Sequence, residues 1–439
     1  MSEPAGRVER FVTRALDGLY RDGRFRLRNV TTGNIVLDAA MDELLANADD
    51  LEVGGTVTTG ESLLDIAERS PDAVRAWLED PLTDAAEAAL VVLEEVRSRA
   101  ALLPAPDRDV PTQLHLTSGG DVLPFVLTLG AEPKVSPGTD PSAQLLVRQD
   151  LAELVVLVFG TTGGTATREV LPTEDPDPRV AGPVDRAYLA RAARQFTAAC
   201  DSPLRDLADL AVRFGSDKWG NHWYADHYDR HFAPLKDKRV TVLEIGIGGY
   251  DDPAAGGASL RMWRHYFRRG EVHGLDHFPK PGLREPRLHT HQGDQSDVEF
   301  LSGLADLTGP LDVVIDDGSH LSQDVITSFR ALFPRLRPGG LYVVEDLQTS
   351  YWPGWGGDST DLANPATSMG LLKSLVDGLN HREIDDGREP SYSDRHITAV
   401  HFYHNMAFVE KGVNSEPPAP SWVPRNENPF AAGLATPDE

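Results

Sequence analysis

The sequence has a single cysteine, Cys200, which excludes an internal disulfide framework and any multi-cysteine zinc or iron–sulfur site. A reducing cytoplasm is therefore the expected compartment. No apolar run approaches the ~18 residues that suggest a membrane-spanning helix, and the start, MSEPAGRVERFV, lacks the basic opening and apolar stretch of a secretory signal. Positive charge is also scarce. Against 68 Asp and Glu stand 42 Lys and Arg, a formal charge of −26, which repels nucleic-acid phosphates and anionic membrane surfaces alike. Neither is an expected partner; a neutral or cationic small molecule is.

What is present suits a globular protein. Hydrophobic residues make up 40% of the chain and charged residues 25%, so disorder throughout is not expected. At 439 residues the chain exceeds one ordinary core, and two domains are expected. Proline-rich stretches at 102–111 (LLPAPDRDVP) and 171–185 (LPTEDPDPRVAGPVD) punctuate the first half, the second reading as a linker. The expected division is an α+β auxiliary or oligomerisation domain over 1–200, a second domain over 201–412 and a Pro-rich extended tail over 413–439. Val8, Phe11, Val12, Ala15 and Leu16 recur at helical spacing, predicting a core-facing helix over 7–23. Residues 1–200 contain no internal repeat and no constellation that reads as catalytic.

From Leu204 the pattern sharpens. Short apolar runs at 240–248, 271–278, 287–294, 311–318 and 340–347 each end in glycine or acid, with helix-like segments such as 259–270 and 322–340 between some of them. That alternation predicts an α/β, Rossmann-like parallel sheet. Residues 397–412 read as an antiparallel hairpin closing it.

In such sheets ligands bind beyond the carboxyl ends of the strands. VLEIGIGG carries Glu244, Gly246, Gly248 and Gly249, glycines that let a ligand approach the backbone. The next strand ends in Asp276, a carboxylate for the two hydroxyls of a ribose, with a solvated strand-end acid as the alternative. No GxGxxG is present, so a pyrophosphate is disfavoured; a cationic sulfonium on an adenosine suits the acidic rim better. With Asp294 and Gln295 in GDQSD, and Ser259 opening the next helix-like segment, this is the pattern of S-adenosylmethionine-dependent methyltransferases.

VVIDDGSHLSQD (313–324) ends the fourth strand and Glu345 with Asp346 the fifth. Adjacent strands lie roughly 4.8 Å apart, so Asp317, Glu345 and Asp346 can converge on one ion. An all-oxygen set selects a hard cation, magnesium first and manganese or calcium next. Asp316, pointing away from Asp317, is expected to face the cofactor or cap the following turn. His320 is the candidate base for a hydroxyl whose proton a divalent cation makes easier to remove, with a hydrogen-bonding loop histidine as the alternative. His222, His227, His231, His401 and His404 are read as structural or substrate-side. Ser216 and Lys218 are expected at the amino-acid end of the cofactor, with a surface ion pair as the alternative for Lys218. Tyr351 and Trp352, followed by PGWGG, form either an apolar wall for substrate or part of the core.

FGSDKWGNHWY (214–224), VLEIGIGGYDDPAAGGASLRMW, GLD, QGDQSD, IDDGSH and VVEDLQTSYW together resemble the sugar O-methyltransferases of macrolide biosynthesis, over roughly residues 200–412. The resemblance implies methylation of a sugar hydroxyl on a glycosylated polyketide, magnesium held at Asp317, Glu345 and Asp346, and His320 as base. It also implies an N-terminal auxiliary domain and a homotetramer. Two alternatives remain: metal-dependent methylation of a catechol or phenol, and a metal-assisted hydrolase, the latter leaving Asp276 and the glycine loop without a purpose.

Overall fold

The computed structural model describes residues 20–21, 24–25, 59–80, 83–161, 166–173, 187–201, 206–385, 387–423 and 425. Within the unit Met1–Thr56, strands β1 (Tyr20–Arg21) and β2 (Arg24–Phe25) pair antiparallel. The helix expected over 7–23 otherwise lies outside the described residues, and its Tyr20–Arg21 end is strand instead. Most of the linker expected at 171–185 also lies outside them.

The unit Val57–Glu439 holds everything else. Its first part combines helices α1 (Thr59–Ala67), α2 (Pro71–Leu78), α3 (Ala85–Ala100), α4 (Leu151–Phe159) and α5 (Ala187–Asp201) with strands β3 (Val110–Ser118), β4 (Asp121–Leu129), β5 (Lys134–Pro137), β6 (Leu145–Asp150) and β7 (Arg168–Pro172). The strands form a mixed sheet in the order β5-β4-β3-β6-β7. Asp84 and Asp150 cap α3 and α4, their carboxylates accepting from otherwise unpaired amides of the first turn. Leu93, Val96, Leu114, Val155, Phe196 and Cys200 share one core. Burial pushes the Cys200 thiol up to about 12, leaving an inert core residue.

Past Cys200 the core changes, with Leu102 the one residue of the first part that joins the second cluster. Helices α6 (Leu207–Phe214) and α7 (Ala225–Phe232) contribute Leu210, Tyr228 and Phe232 to that cluster, on one face of a seven-stranded sheet. The strands are β8 (Thr241–Ile245), β9 (Glu271–Asp276), β10 (Leu288–Gln292), β11 (Leu311–Asp316), β12 (Leu336–Val344), β13 (Ile397–Tyr403) and β14 (Met406–Lys411). The order is β10-β9-β8-β11-β12-β14-β13, with β14 antiparallel to β12 and β13 antiparallel to β14. This is the expected Rossmann-like sheet closed by a hairpin. Helices α8 (Ala258–Tyr266), α9 (Val298–Thr308), α10 (Ser322–Leu332) and α11 (Ser368–Leu379) cover the two faces. The chain runs from β8 to β9 on one side and returns to β11 on the other, so strand order reverses between β8 and β11, where a crevice opens for ligands. Residues 413–423 carry no helix or strand.

A buried ion cluster joins the two parts. Glu95 on α3 accepts from Arg99 at 2.9 Å, from Arg264 on α8 at 2.9 Å and from Arg287 at 2.9 Å. All four residues are almost wholly buried. Arg269 continues the seam, donating to the Phe159 carbonyl at 2.8 Å.

Candidate active site

The crevice gathers side chains from the ends of β8, β11 and β12 and from the segment between α6 and α7. Parallel register sets Asp316 beside Ile245 and Val344, so Gly246, Asp317 and Glu345 leave their strands side by side. Gly246 holds φ 95°, and a Cβ there would lie 2.1 Å from the Asp317 carbonyl, so only glycine lets the two loops touch. Gly248, at φ 76°, has nothing within 4 Å of where a Cβ would be, which leaves the turn open. Asp276 ties into this loop, accepting from the Ile247 amide at 2.9 Å and from the Phe278 amide at 2.9 Å.

Lys218 is wholly buried at the centre. Its Nζ lies 2.6 Å from Asp317 Oδ2, 2.9 Å from Glu345 Oε1 and 3.6 Å from Glu244 Oε1. The surface ion pair considered for Lys218 is thus corrected: the ammonium is a buried counter-charge to three acids. Burial alone would lower its pKa, yet Asp317, Glu345 and Glu244 hold it well above the usual lysine value. One ammonium does not balance three carboxylates. Burial raises Asp317 against the pull of Lys218 and His320, raises Glu345 well above the usual range with Asp317 adding to it, and pushes Glu244 up to about 7. The site is short of positive charge, as carboxylates arranged for a further cation are.

Asp317, His320 and Asp346 each offer a ligand atom within 4.8 Å of the others. His320 Nε2 stands 3.7 Å from Asp346 Oδ2 and 4.0 Å from Asp317 Oδ1. Glu345 lies outside that group, held by Lys218 and by the hydroxyl of Tyr228 on α7. Asp346 accepts from the Tyr224 hydroxyl at 2.8 Å, and His222 Nε2 lies 3.7 Å from the same Oδ1. Tyr224 and Tyr228 escaped the sequence reading, which took His222 as structural or substrate-side; the signal for Tyr224 was the cluster of aromatics and histidines in the 214–224 run, and Tyr228 lies beyond it.

Several expected cofactor contacts are already engaged within the protein. Asp316 is corrected most plainly: burial raises its pKa, and it accepts from Gln295 at 2.7 Å, from Tyr342 at 3.1 Å and from Ser328 on α10. It neither caps the turn nor faces the crevice, because alternation turns it to the opposite side of β11 from Asp317. Gln295 also accepts from the Ser319 amide at 2.9 Å, which steadies the loop leading to His320. Glu244 accepts from Ser259 at 2.7 Å and from Trp263 at 3.0 Å. Asp294 is exposed and closes its own turn through Ser296. Ser216 is buried, with its Oγ 3.4 Å from the Lys218 amide.

Trp352 and Trp355 are 47% and 38% exposed and so do not belong to the core. The Trp355 ring lies 6.5 Å from that of His320 and 6.4 Å from that of Trp352, forming an apolar rim beside the imidazole, with Tyr351 half-buried next to them.

Among known proteins, the family described as MycE methyltransferase N-terminal matches residues 61–168, and a methyltransferase-domain family matches 254–347. The chain is 44% identical to demethylmacrocin O-methyltransferase of Streptomyces fradiae, over 84% of this chain and 91% of that one. It is 42% identical to mycinamicin VI 2''-O-methyltransferase of Micromonospora griseorubida, over 78% of this chain and 88% of that one. The solved structure of MycE methyltransferase from the mycinamycin biosynthetic pathway, in complex with Mg, SAH and mycinamycin VI, superposes with a TM-score of 0.76 at 39% identity, covering 84% of this chain and 96% of that one. On these likenesses and on its fold, the chain belongs to the sugar O-methyltransferase family of macrolide and related polyketide pathways.

Proposed function

We propose that this protein transfers the methyl group of S-adenosylmethionine to a sugar hydroxyl of a glycosylated macrolide or related polyketide, with Mg2+ as metal cofactor and His320 as base. The observation that carries the reading is the grouping of Asp317, His320 and Asp346 beside an open glycine loop, at the carboxyl ends of adjacent strands. Asp317 and Asp346 would hold the cation, with Glu345 joining them once its contact with Lys218 is exchanged. A divalent cation bound there supplies Lewis acidity, stabilising negative charge on the sugar oxygen. S-adenosylmethionine supplies an electrophilic methyl group on a sulfonium.

The chain's own residues do the rest. Gly248 gives the cofactor access to the backbone and Gly246 seats its loop against that of Asp317, with Asp276 and Glu244 at the loop's flanks and Ser216, Lys218, Ser259, Asp294 and Gln295 around them. His320 Nε2 takes the hydroxyl proton as the oxygen–carbon bond forms and the carbon–sulfur bond breaks, giving a methyl ether and S-adenosylhomocysteine. Tyr224 and Tyr228 orient Asp346 and Glu345, and Lys218 balances the buried acids. Tyr351 and Trp352, with Trp355, exclude water and seat the acceptor beside His320. MycE was solved with Mg, SAH and mycinamycin VI, which supports carrying these ligands over to this chain. Neither the phenol nor the hydrolysis alternative has a specific observation in its favour.

The reading extends to the whole chain. Residues 1–200 would be the auxiliary and oligomerising domain, 201–412 the catalytic one and 413–439 the tail; that the first core cluster ends at Cys200 and the second, apart from Leu102, starts at Leu207 supports the boundary after residue 200. The family resemblance implies a homotetramer whose neighbouring subunits help close each site, and the single cysteine suits work in a reducing cytoplasm. Among the described residues no helix is long and apolar enough to cross a membrane.

The test is a mass-spectrometric screen of glycosylated polyketides with S-adenosylmethionine and Mg2+, expecting a gain of one methylene located on the sugar. Methylation that survives thorough chelation, or falls on the aglycone, contradicts the reading.

A further inference from the structure

A second group of ligating side chains lies away from the crevice, where α7 meets the closing hairpin. His227 and His231 are four residues apart on α7 and so share one face of that helix. That face meets the hairpin: His227 stacks on Tyr403 at 4.0 Å between ring centroids, and His231 on Phe408 at 4.2 Å. On the hairpin, His401 pairs with Phe408, and Glu410 lies two residues from Phe408, so His401, Tyr403, Phe408 and Glu410 all point to the same side of the sheet. His401 Nε2 is 2.8 Å from Glu410 Oε1, and the rings of His231 and His401 are 4.6 Å apart.

We propose that His231, His401 and Glu410 form a site for a borderline transition-metal cation, zinc first, separate from the acids around Lys218. One atom from each of the three lies within 4.8 Å of the others, and all three side chains are half-buried. Ligands of a tetrahedral zinc ion, with bonds of ~2.0–2.1 Å, sit ~3.3 Å apart, so modest side-chain rotation closes the set. Two imidazoles and one carboxylate select zinc, nickel or copper over magnesium, which takes oxygen ligands. The Tyr403 hydroxyl, 2.9 Å from His231 Nε2, stands where a partner orienting that ring belongs. The His227 Nδ1 beside it is buried without a hydrogen-bond partner. A metal here would pin α7 to the hairpin, and α7 carries Tyr228, which holds Glu345.

The test is equilibrium dialysis of the full chain against Zn2+ in excess Mg2+, followed by Co2+ as a spectroscopic probe. The wild type is expected to retain one zinc, and Co2+ to give the strong visible absorption of a tetrahedral site. His231→Ala, His401→Ala and Glu410→Gln should each weaken zinc binding at least about tenfold and remove the cobalt bands, while His320→Ala retains both. Circular dichroism checks folding; Glu410→Gln, which keeps shape and polarity, carries the test if a histidine variant unfolds. A wild type that retains no zinc, or a zinc affinity unchanged by the substitutions, overturns the proposal.

Discussion

His320 and Asp346 face each other across the crevice, Nε2 to Oδ2 3.7 Å, and both hold left-handed backbone, at φ 56° and 53°. Neither is glycine, and each such residue costs of order 1–3 kcal/mol unless its surroundings compensate. The two strained residues are the proposed base and a proposed metal ligand. Their side chains are aimed by turns too sharp for ordinary backbone.

His320→Ala should lower turnover by about 10²–10⁴-fold with S-adenosylmethionine affinity unchanged, as loss of a general base does. His320→Gly should be equally inactive yet more stable than the alanine variant by about 1 kcal/mol, because glycine accepts positive φ. Steady-state kinetics, cofactor titration and urea unfolding separate these outcomes. Undiminished turnover in either variant removes His320 as base.

Lys218→Met should destabilise the protein by roughly 3–5 kcal/mol without Mg2+, since Asp317, Glu345 and Glu244 lose their buried counter-charge. Added Mg2+ should recover part of that loss and recover less in the wild type, which keeps its ammonium. Thermal unfolding with and without Mg2+ decides it; equal Mg2+ effects in both proteins count against a cation among these acids.

Glu95 gives a pH dependence. Burial raises its pKa, but Arg287, Arg264 and Arg99 outweigh burial and hold it well below the usual 4.5. Its folded-state pKa is depressed, so its contribution to stability is present above about pH 4.5 and is lost as pH falls through the folded value. Glu95→Gln should cost about 3–5 kcal/mol at neutral pH and reduce the acid sensitivity of unfolding below pH 4.5. Denaturant midpoints between pH 3 and 7 test this; parallel curves for the two proteins would show that Glu95 is not the group responsible.

Trp355→Ala should raise the KM for the glycosylated acceptor with little change in the KM for S-adenosylmethionine, since the ring borders His320 rather than the glycine loop. An equal rise for both substrates would mean that Trp355 supports the whole site rather than the acceptor side.

The parallel strands were legible because each apolar run stops at a glycine or an acid, and this placed Asp276, Asp317, Glu345 and Asp346 at strand ends. Alternation also put Asp316 and Asp317 on opposite sides. Their partners were not legible. Lys218, expected at the amino-acid end of the cofactor or in a surface ion pair, stands 99 residues before Asp317, so nothing local tied it to the three acids around it. Tyr224 is 122 residues from Asp346, so no local period links them. Asp316 draws on Gln295, Ser328 and Tyr342 from three separate elements, which leaves no pattern for a reader of one chain. The mixed sheet of the first part lacked any motif for the same reason: its packing comes from pairings spread over Val110 to Pro172.

The Glu95 cluster bears on what can be transplanted. Arg264 and Arg287 fold with the methyltransferase sheet, and Arg264 also pairs there with Glu285 at 2.9 Å, but the carboxylate that the two arginines share arrives on a helix from the preceding part. Cut between residues 201 and 206, the second part would keep Arg264 with Glu285 but leave Arg287 in a pocket shaped for a charge it no longer owns. The smaller methyltransferase that the sheet outlines is therefore not a free-standing module: a chimera that borrows it must borrow α3 as well or replace Arg287.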